Sequence, residues 1–215
     1  MASPQQHTIQ LGVLTVKPEL RPDDRPPLDD VCSRLQAVPG VSALYRGRHA
    51  ERPDRWTLAV RWAEPAALDA FLHSPSYTGW LASLRAVADS YLFYRAPALR
   101  GDALAALAAP CTEVFSAYGA AQSFLDDRMT PFADNVDAGR LPGYRGSAYG
   151  RFDRLLHHGS LASPDGIVVV ILIGWDSKDA HMAQRGEGKL IDQHIHYVRE
   201  DRESVDLYHV SLTKL

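Results

Sequence analysis

The sequence predicts an α+β chain built from two tandem copies of one β-α-β-β-α-β unit, and three internal echoes carry that prediction. Trp56 to Trp62 (WTLAVRW) runs into Glu64-Pro65 and a helix-like stretch, just as Ile167 to Trp175 (IVVVILIGW) runs into Asp176-Ser177 and another. The first copy closes on Leu92-Phe93-Tyr94 and the second on Leu207-Tyr208-His209. Upstream, Pro39-Gly40-Val41 leads to Gly47-Arg48 with the spacing by which Pro142-Gly143-Tyr144 leads to Gly150-Arg151. A period of about half the chain signals a duplicated domain, whereas a solenoid repeats every 20–50 residues or so.

In the first copy, His7 to Val16 reads as a strand ended by Lys17-Pro18, and the charged, proline-rich stretch 19–27 as a loop. Leu28, Val31, Leu35 and Val38 fall at helical spacing, and Pro39-Gly40 stops that helix. Val41 to Arg48 and Arg55 to Trp62 read as strands. Pro65 suits the first turn of the next helix, Ser74-Pro75 interrupts it, and Tyr77 to Val87 resumes before a closing strand at Tyr91 to Tyr94. The second copy repeats the order. Thr112 to Tyr118 is a strand, and Gln122 to Val136 a helix bent or broken at Thr130-Pro131. Tyr144 to Phe152 and Ile167 to Trp175 are strands with an extra loop around His157-His158 between them. Ser177 to Ala183 and Lys189 to Val198 are helical pieces hinged at Gly186 and Gly188, and Val205 to Leu212 closes the sheet. The expected boundaries are a first ferredoxin-like repeat at 1–97, a linker at 98–110 and a second repeat at 111–215.

A sheet with helices on one face must cover its other face or expose it. The strands here are apolar on both parities, so both faces are expected to be covered. Two tandem copies can meet sheet to sheet and close an eight-stranded barrel around one small ligand. That expectation is an intramolecular dimeric α/β barrel.

Pro-Gly before the second strand, a strand ending in Trp62 or Trp175 directly before a helix start, and a short last strand together resemble the dimeric α/β-barrel superfamily. More narrowly, the chain resembles tandem antibiotic-biosynthesis-monooxygenase (ABM) domains, as found in fungal proteins. The resemblance covers nearly the whole chain, but its motifs are structural. It implies one of several activities: cofactor-free oxygenation of aromatic polyketides, polyketide cyclisation, haem degradation, or none. Fold does not settle function.

Bulk properties narrow the classes. The 46% hydrophobic and 23% charged composition is that of a soluble globular protein, and a net charge of -3 argues against nucleic acid or an anionic membrane as partner. No apolar run approaches the roughly 18 residues of a membrane span, and Met1 to Gln6 carries no secretory pattern, so a cytoplasmic location is expected. Cys32 and Cys111 are too few for a disulfide framework and have no metal-ligand spacing. The chain contains no Walker loop, GxGxxG, G-x-S-x-G or HExxH, so no cofactor and no metal are called for.

Chemistry is therefore expected from side chains in a cavity, and the copies differ in what they offer. The catalytic candidates are His209, Tyr149, His194 and Glu113, all in the second copy. His209, aligned with Tyr94, would act as base or acid near neutral pH if its parity faces the barrel. With the other parity, Tyr208 and Phe93 would line the cavity. Tyr149, aligned with Arg46, would hold an enolate or hydroxyl. His194 shares helical spacing with Ile191 and Val198, and the His194-Ile195-His196 pair chelates a metal only if that segment is a strand. Glu113 would be raised in pKa if buried, though a solvent-facing edge position is the plainer reading. Tyr94, Arg61, Phe124 and Tyr208 are the candidate substrate-binding side chains, with Gly174 in the place of Arg61 in the second copy. Trp62 and Trp175 recur as packing residues, and Arg48 and Arg151 as a shared structural contact such as a salt bridge.

The expected function is a cofactor-independent enzyme on a hydrophobic, polyketide-like small molecule, performing cyclisation, isomerisation or rearrangement, as a monomer or homodimer. A cofactor-free monooxygenase of an enolisable aromatic shares the same base and dry pocket. A non-catalytic ligand-binding or stress-associated barrel is the reading from another class. Haem ligation by a cavity-facing histidine is the fourth.

Overall fold

The structure is a computed structural model that describes residues 8–20, 28–161 and 165–215. The reading of Met1 to Gln6, and residues 21–27 of the expected loop, lie outside the described residues. Two compact units emerge: the first draws on Met1–Ala98, Arg154–Ala162 and Thr213–Leu215, the second on Leu99–Asp153 and Ser163–Leu212.

The first unit runs β1 (Thr8–Val16), α1 (Asp29–Gln36), β2 (Val41–Arg48), β3 (Arg55–Trp62), α2 (Pro65–Leu72), α3 (Pro75–Val87) and β4 (Ala88–Ala96). Its antiparallel sheet has the order β2-β3-β1-β4, the ferredoxin-like arrangement. The helix-side core gathers Leu14, Leu58, Val60, Trp62 and Phe93 from the sheet with Val31, Leu35, Leu68, Phe71, Trp80 and Leu84 from the helices. Ser74 caps α3 by accepting from the Tyr77 amide, and Pro75 starts it without wasting an N–H, so the predicted interruption is a helix boundary.

The expected linker carries structure of its own: β5 (Arg100–Gly101) and α4 (Ala103–Ala108), capped by Asp102 accepting from the Ala105 amide. Both belong to the second unit. That unit continues with β6 (Cys111–Ala120), a π-helical turn at Phe124–Met129, α5 (Thr130–Ala138), β7 (Tyr144–His158, of which it holds the part up to Asp153), β8 (Ile167–Trp175), α6 (Lys178–Met182), α7 (Leu190–His194), a 3-10 turn at Ile195–Val198 and β9 (Ser204–Val210). The sheet order β7-β8-β6-β9 repeats the first unit, with β5 paired to β7. The bend foreseen at Thr130-Pro131 is the switch from π to α winding, where the Thr130 hydroxyl takes up the Leu125 carbonyl. The end of the chain departs from the expected boundary. β10 (Thr213–Lys214) pairs with β2 and belongs to the first unit.

The recurring Pro-Gly pair has a common physical cause. Gly40 and Gly143 adopt φ of 91° and 81°. A Cβ on Gly40 would lie 2.3 Å from Ala67 Cβ, and one on Gly143 2.7 Å from Ala180 Cβ. The turn into the second strand thus passes directly against the helix that follows the third.

Three expectations need correction. His157 and His158 lie at the end of the long β7, which runs on past Phe152 to His158. Arg48 and Arg151 donate to the main-chain carbonyls of Pro53 and Gln122, so what they share is a loop contact and not a salt bridge. The counterpart of His209 is Arg95, one residue beyond Tyr94. Trp62 Nε1 donates to Gln10 Oε1 and Trp175 Nε1 to Glu113 Oε2, while Gln10 pairs with Arg95 and Glu113 with His209.

Candidate functional site

Four side chains of the second unit converge on the helix side of its sheet. Glu113 comes from the interior strand β6, His209 stands opposite it on the edge strand β9, and Trp175 ends β8. His181 arrives from α6, whose start is fixed by Ser177 accepting from the Ala180 amide at 3.0 Å. His181 Nδ1 lies 2.8 Å from His209 Nε2 and 3.4 Å from Glu113 Oε2, and the latter oxygen also accepts from Trp175 Nε1 at 3.0 Å. The His181 ring stacks on Trp175, 5.0 Å between centroids and 17° between planes. Glu113, His181 and His209 are 6%, 2% and 2% exposed, so this polar cluster is buried in an apolar core. Burial makes mutual hydrogen bonding necessary, since an unmet polar group there costs about 1–3 kcal/mol.

Glu113 and His181 line a pocket of about 150 Å³. Its walls are apolar, with Phe115, Phe132, Ile171, Ile173 and Ile191 among them, and Arg185, Arg199 and Arg202 also line it. A hollow of that size, lined by such side chains, accepts one aromatic ring. Arg185 is held by Asp192 at 2.6 Å, and that contact keeps the Asp192 carboxyl below the usual carboxylate range. Arg202 donates to the Val198 carbonyl, and its partial burial lowers the guanidinium pKa.

The candidates from sequence are dispersed. His209 and Glu113 meet, but on the helix side, so the cavity they serve lies between sheet and helices and not on the helix-free face. Glu113 is buried within the sheet, which corrects the edge reading: β6 has a neighbour on each side. Tyr149 faces the same core but joins Asp134 at 3.5 Å, away from the pocket lining. Phe124 is buried in that core at the head of the π-helical turn. His194 is half-buried, stacks on Tyr197 and does not line the pocket, because the chain tightens to 3-10 winding after α7 and turns Ile191, Ile195 and Val198 inward. That helical winding also removes the chelate geometry considered for His194 and His196. The alternative pair splits as well: Phe93 packs on Trp80 in the first core, while Tyr208 occupies the opposite parity to His209. Tyr94 and Arg61 lie on the helix-free parity of the first sheet.

His181 escapes the sequence reading. One signal would have found it: counting from the shared tryptophans, His181 occupies the place of the core residue Leu68, six residues on.

The helices offer no membrane route; among the described residues none is long and apolar enough to cross a bilayer. Residues 9–83 match the family model of antibiotic biosynthesis monooxygenase. No curated protein matches the chain. Among solved structures, an anthrone oxidase-like protein shares 14% identity at a TM-score of 0.74, covering 98% of this chain and 93% of that one. A candidate monooxygenase of Lactobacillus acidophilus gives 10% identity and a TM-score of 0.54, covering 97% and 95%. A candidate monooxygenase of Fusobacterium nucleatum gives 8% and 0.57, covering 96% and 92%. At such identities the likeness concerns the fold. The family pattern therefore lies in residues 9–83, and the second unit repeats the sheet order of the first.

Proposed function

We propose that the second unit is the catalytic half of an enzyme that binds a small hydrophobic molecule bearing an enolisable or acidic group and moves a proton on it. The observation that carries this reading is the buried His181–His209 hydrogen bond beside an apolar pocket that His181 lines. His181, which lines the pocket, is the proton acceptor. His209 lies behind it and shares the proton, and Glu113 stands 3.4 Å away to favour the imidazolium that forms. Arg199 and Arg202 line the same pocket and favour the enolate. Reprotonation of the enolate elsewhere gives isomerisation, and attack on an internal carbonyl gives cyclisation.

The family match favours a second outcome for the same enolate. There it reduces oxygen, so that a methylene R₂CH₂ and O₂ become R₂C=O and water. The anthrone oxidase-like neighbour directs the search toward aromatic ketones, and the pocket volume toward those that seat a single ring in it.

A thermal-shift screen of enolisable aromatic ketones, followed by turnover assays with an oxygen electrode, tests both. Removing the general base by His181→Leu should cut kcat by about 10²–10⁴ while ligand-induced stabilisation persists. Full turnover in that variant would overturn the proton-transfer reading. Oxygen uptake equal to product formation selects the oxygenase, and turnover without uptake selects cyclisation or isomerisation.

A further inference from the structure

We propose that Glu113, His181 and His209 form a binding site for one divalent first-row transition ion, zinc(II) or iron(II). The three donors come from three elements and converge. One ligand atom from each lies within 4.8 Å of the other two, and all three residues are buried. Bonds of about 2.0–2.2 Å to imidazole nitrogen and carboxylate oxygen put neighbouring ligands roughly 3.0–3.4 Å apart at octahedral or tetrahedral angles. His181 Nδ1 to His209 Nε2 is 2.8 Å and His181 Nδ1 to Glu113 Oε2 is 3.4 Å, so small side-chain shifts suffice. Two imidazoles and one carboxylate are a donor set of intermediate softness, which suits zinc or ferrous iron and leaves further positions open.

Ligation has a definite proton balance. His181 must carry its proton on Nε2 and His209 on Nδ1, so the hydrogen between them moves off that contact. A neutral pair releases no proton on binding, and a singly protonated pair releases one. Trp175 Nε1 fixes the carboxylate through Oε2, the orienting contact a metal-binding carboxylate requires. Glu113 and His181 also line the pocket, so an ion held by them would adjoin the ligand space.

The first unit offers an internal contrast. Its equivalent positions hold Gln10, Leu68 and Arg95, with Arg95 drawn to Asp69 at 2.8 Å. An amide, an alkyl chain and a cation cannot hold a divalent ion, so the expected stoichiometry is one per chain. With an ion bound, His181 Nδ1 would be committed as a ligand, and the ion would supply a water whose pKa it brings toward neutral.

The test uses the full chain, stripped by a chelator and titrated with cobalt(II) and zinc(II), with circular dichroism as a fold control. We expect one retained zinc per chain and a visible cobalt ligand-field band that zinc displaces. His181→Leu and Glu113→Gln should each weaken zinc by at least about 100-fold, beyond the range of orienting contacts, while His194→Ala should not. A folded wild type that retains no zinc and shows no cobalt band overturns the site, as does binding unchanged in both ligand variants. None of these readouts involves turnover, so loss of the enzymatic reading would leave them intact.

Discussion

His181 Nδ1 lies 2.8 Å from His209 Nε2 at positions where the first unit places Leu68 and Arg95. One fold therefore carries two solutions to the same buried corner. In the first, a neutral amide on Gln10 satisfies the tryptophan and a leucine fills the space. In the second, a carboxylate does so beside two imidazoles. His181→Leu alone should cost about 1–3 kcal/mol, because it removes a hydrogen-bonding partner from a buried histidine. Adding Glu113→Gln removes the carboxylate while keeping an acceptor for Trp175, as Gln10 does for Trp62. The pair should therefore be non-additive, with a coupling of about 0.5–3 kcal/mol in urea denaturation. Additivity would mean that the carboxylate and the imidazole do not interact.

The β-α-β-β-α-β order is legible in the sequence because its markers act locally. Pro39-Gly40 and Pro142-Gly143 set turns, Ser74-Pro75 a helix start, and the apolar runs the strands. The candidate site is legible only in part. Glu113 and His209 stand out as polar groups in apolar strands, but their meeting depends on register across β6 and β9, which no local pattern gives. An alignment one residue out sets Tyr94 in the place of Arg95 as the counterpart of His209, and strand parity makes such a slip reverse the face. His181 was hidden differently. Its helix has five residues, too few to display a periodic apolar face against which a buried histidine would stand out.

Gly174 permits α4 to lie on β8. A Cβ there would meet Ala109 Cβ at 2.8 Å, Ala106 Cα at 3.1 Å and the Ala105 carbonyl oxygen at 3.2 Å, so main chain as well as side chain blocks it. The first unit carries Arg61 at this position. Gly174→Ala should destabilise by about 1–3 kcal/mol through overpacking. Ala109→Gly in the same chain should restore part of that loss, since it removes the nearest clash. A denaturation midpoint unmoved by Gly174→Ala would show that α4 adjusts freely.

His49 makes the first unit sensitive to acid. It is 2% exposed and bonded to Thr57 Oγ1 at 2.8 Å. Burial first, and then the Arg52 and Arg55 charges, push its pKa down from 6.5 to about 3, with Glu51 opposing weakly. The folded pKa lies below the unfolded one, so the unfolded chain takes up the proton first as pH falls. The stabilisation is complete above about pH 6.5 and is lost on acidification toward pH 3, by up to about 1.4 kcal/mol per pH unit. His49→Gln keeps a polar side chain near Thr57 but has no proton to gain. Its stability should depend less steeply on pH over that interval than wild type, in urea denaturation at matched ionic strength. Parallel curves would assign the acid sensitivity to other groups.

Arg202 sets a guanidinium in the pocket wall. Its Nε donates to the Val198 carbonyl at 2.7 Å, which fixes the guanidinium at the pocket wall, and partial burial weakens its hydration. A guanidinium so placed has donors left for an anionic oxygen. Under the proposed function, Arg202→Gln should weaken a phenolate or carboxylate ligand by about 1.5–3 kcal/mol, the range for hydrogen bonds to charged groups. The methyl ether or ester of the same ligand should bind wild type and variant alike, because the apolar walls are untouched. Arg202→Lys should restore little, since a flexible ammonium cannot keep the Val198 contact and present a planar fork at once. Calorimetric titration of the matched ligand pair reads the difference, and equal losses for both members would show that Arg202 shapes the wall without recognising charge.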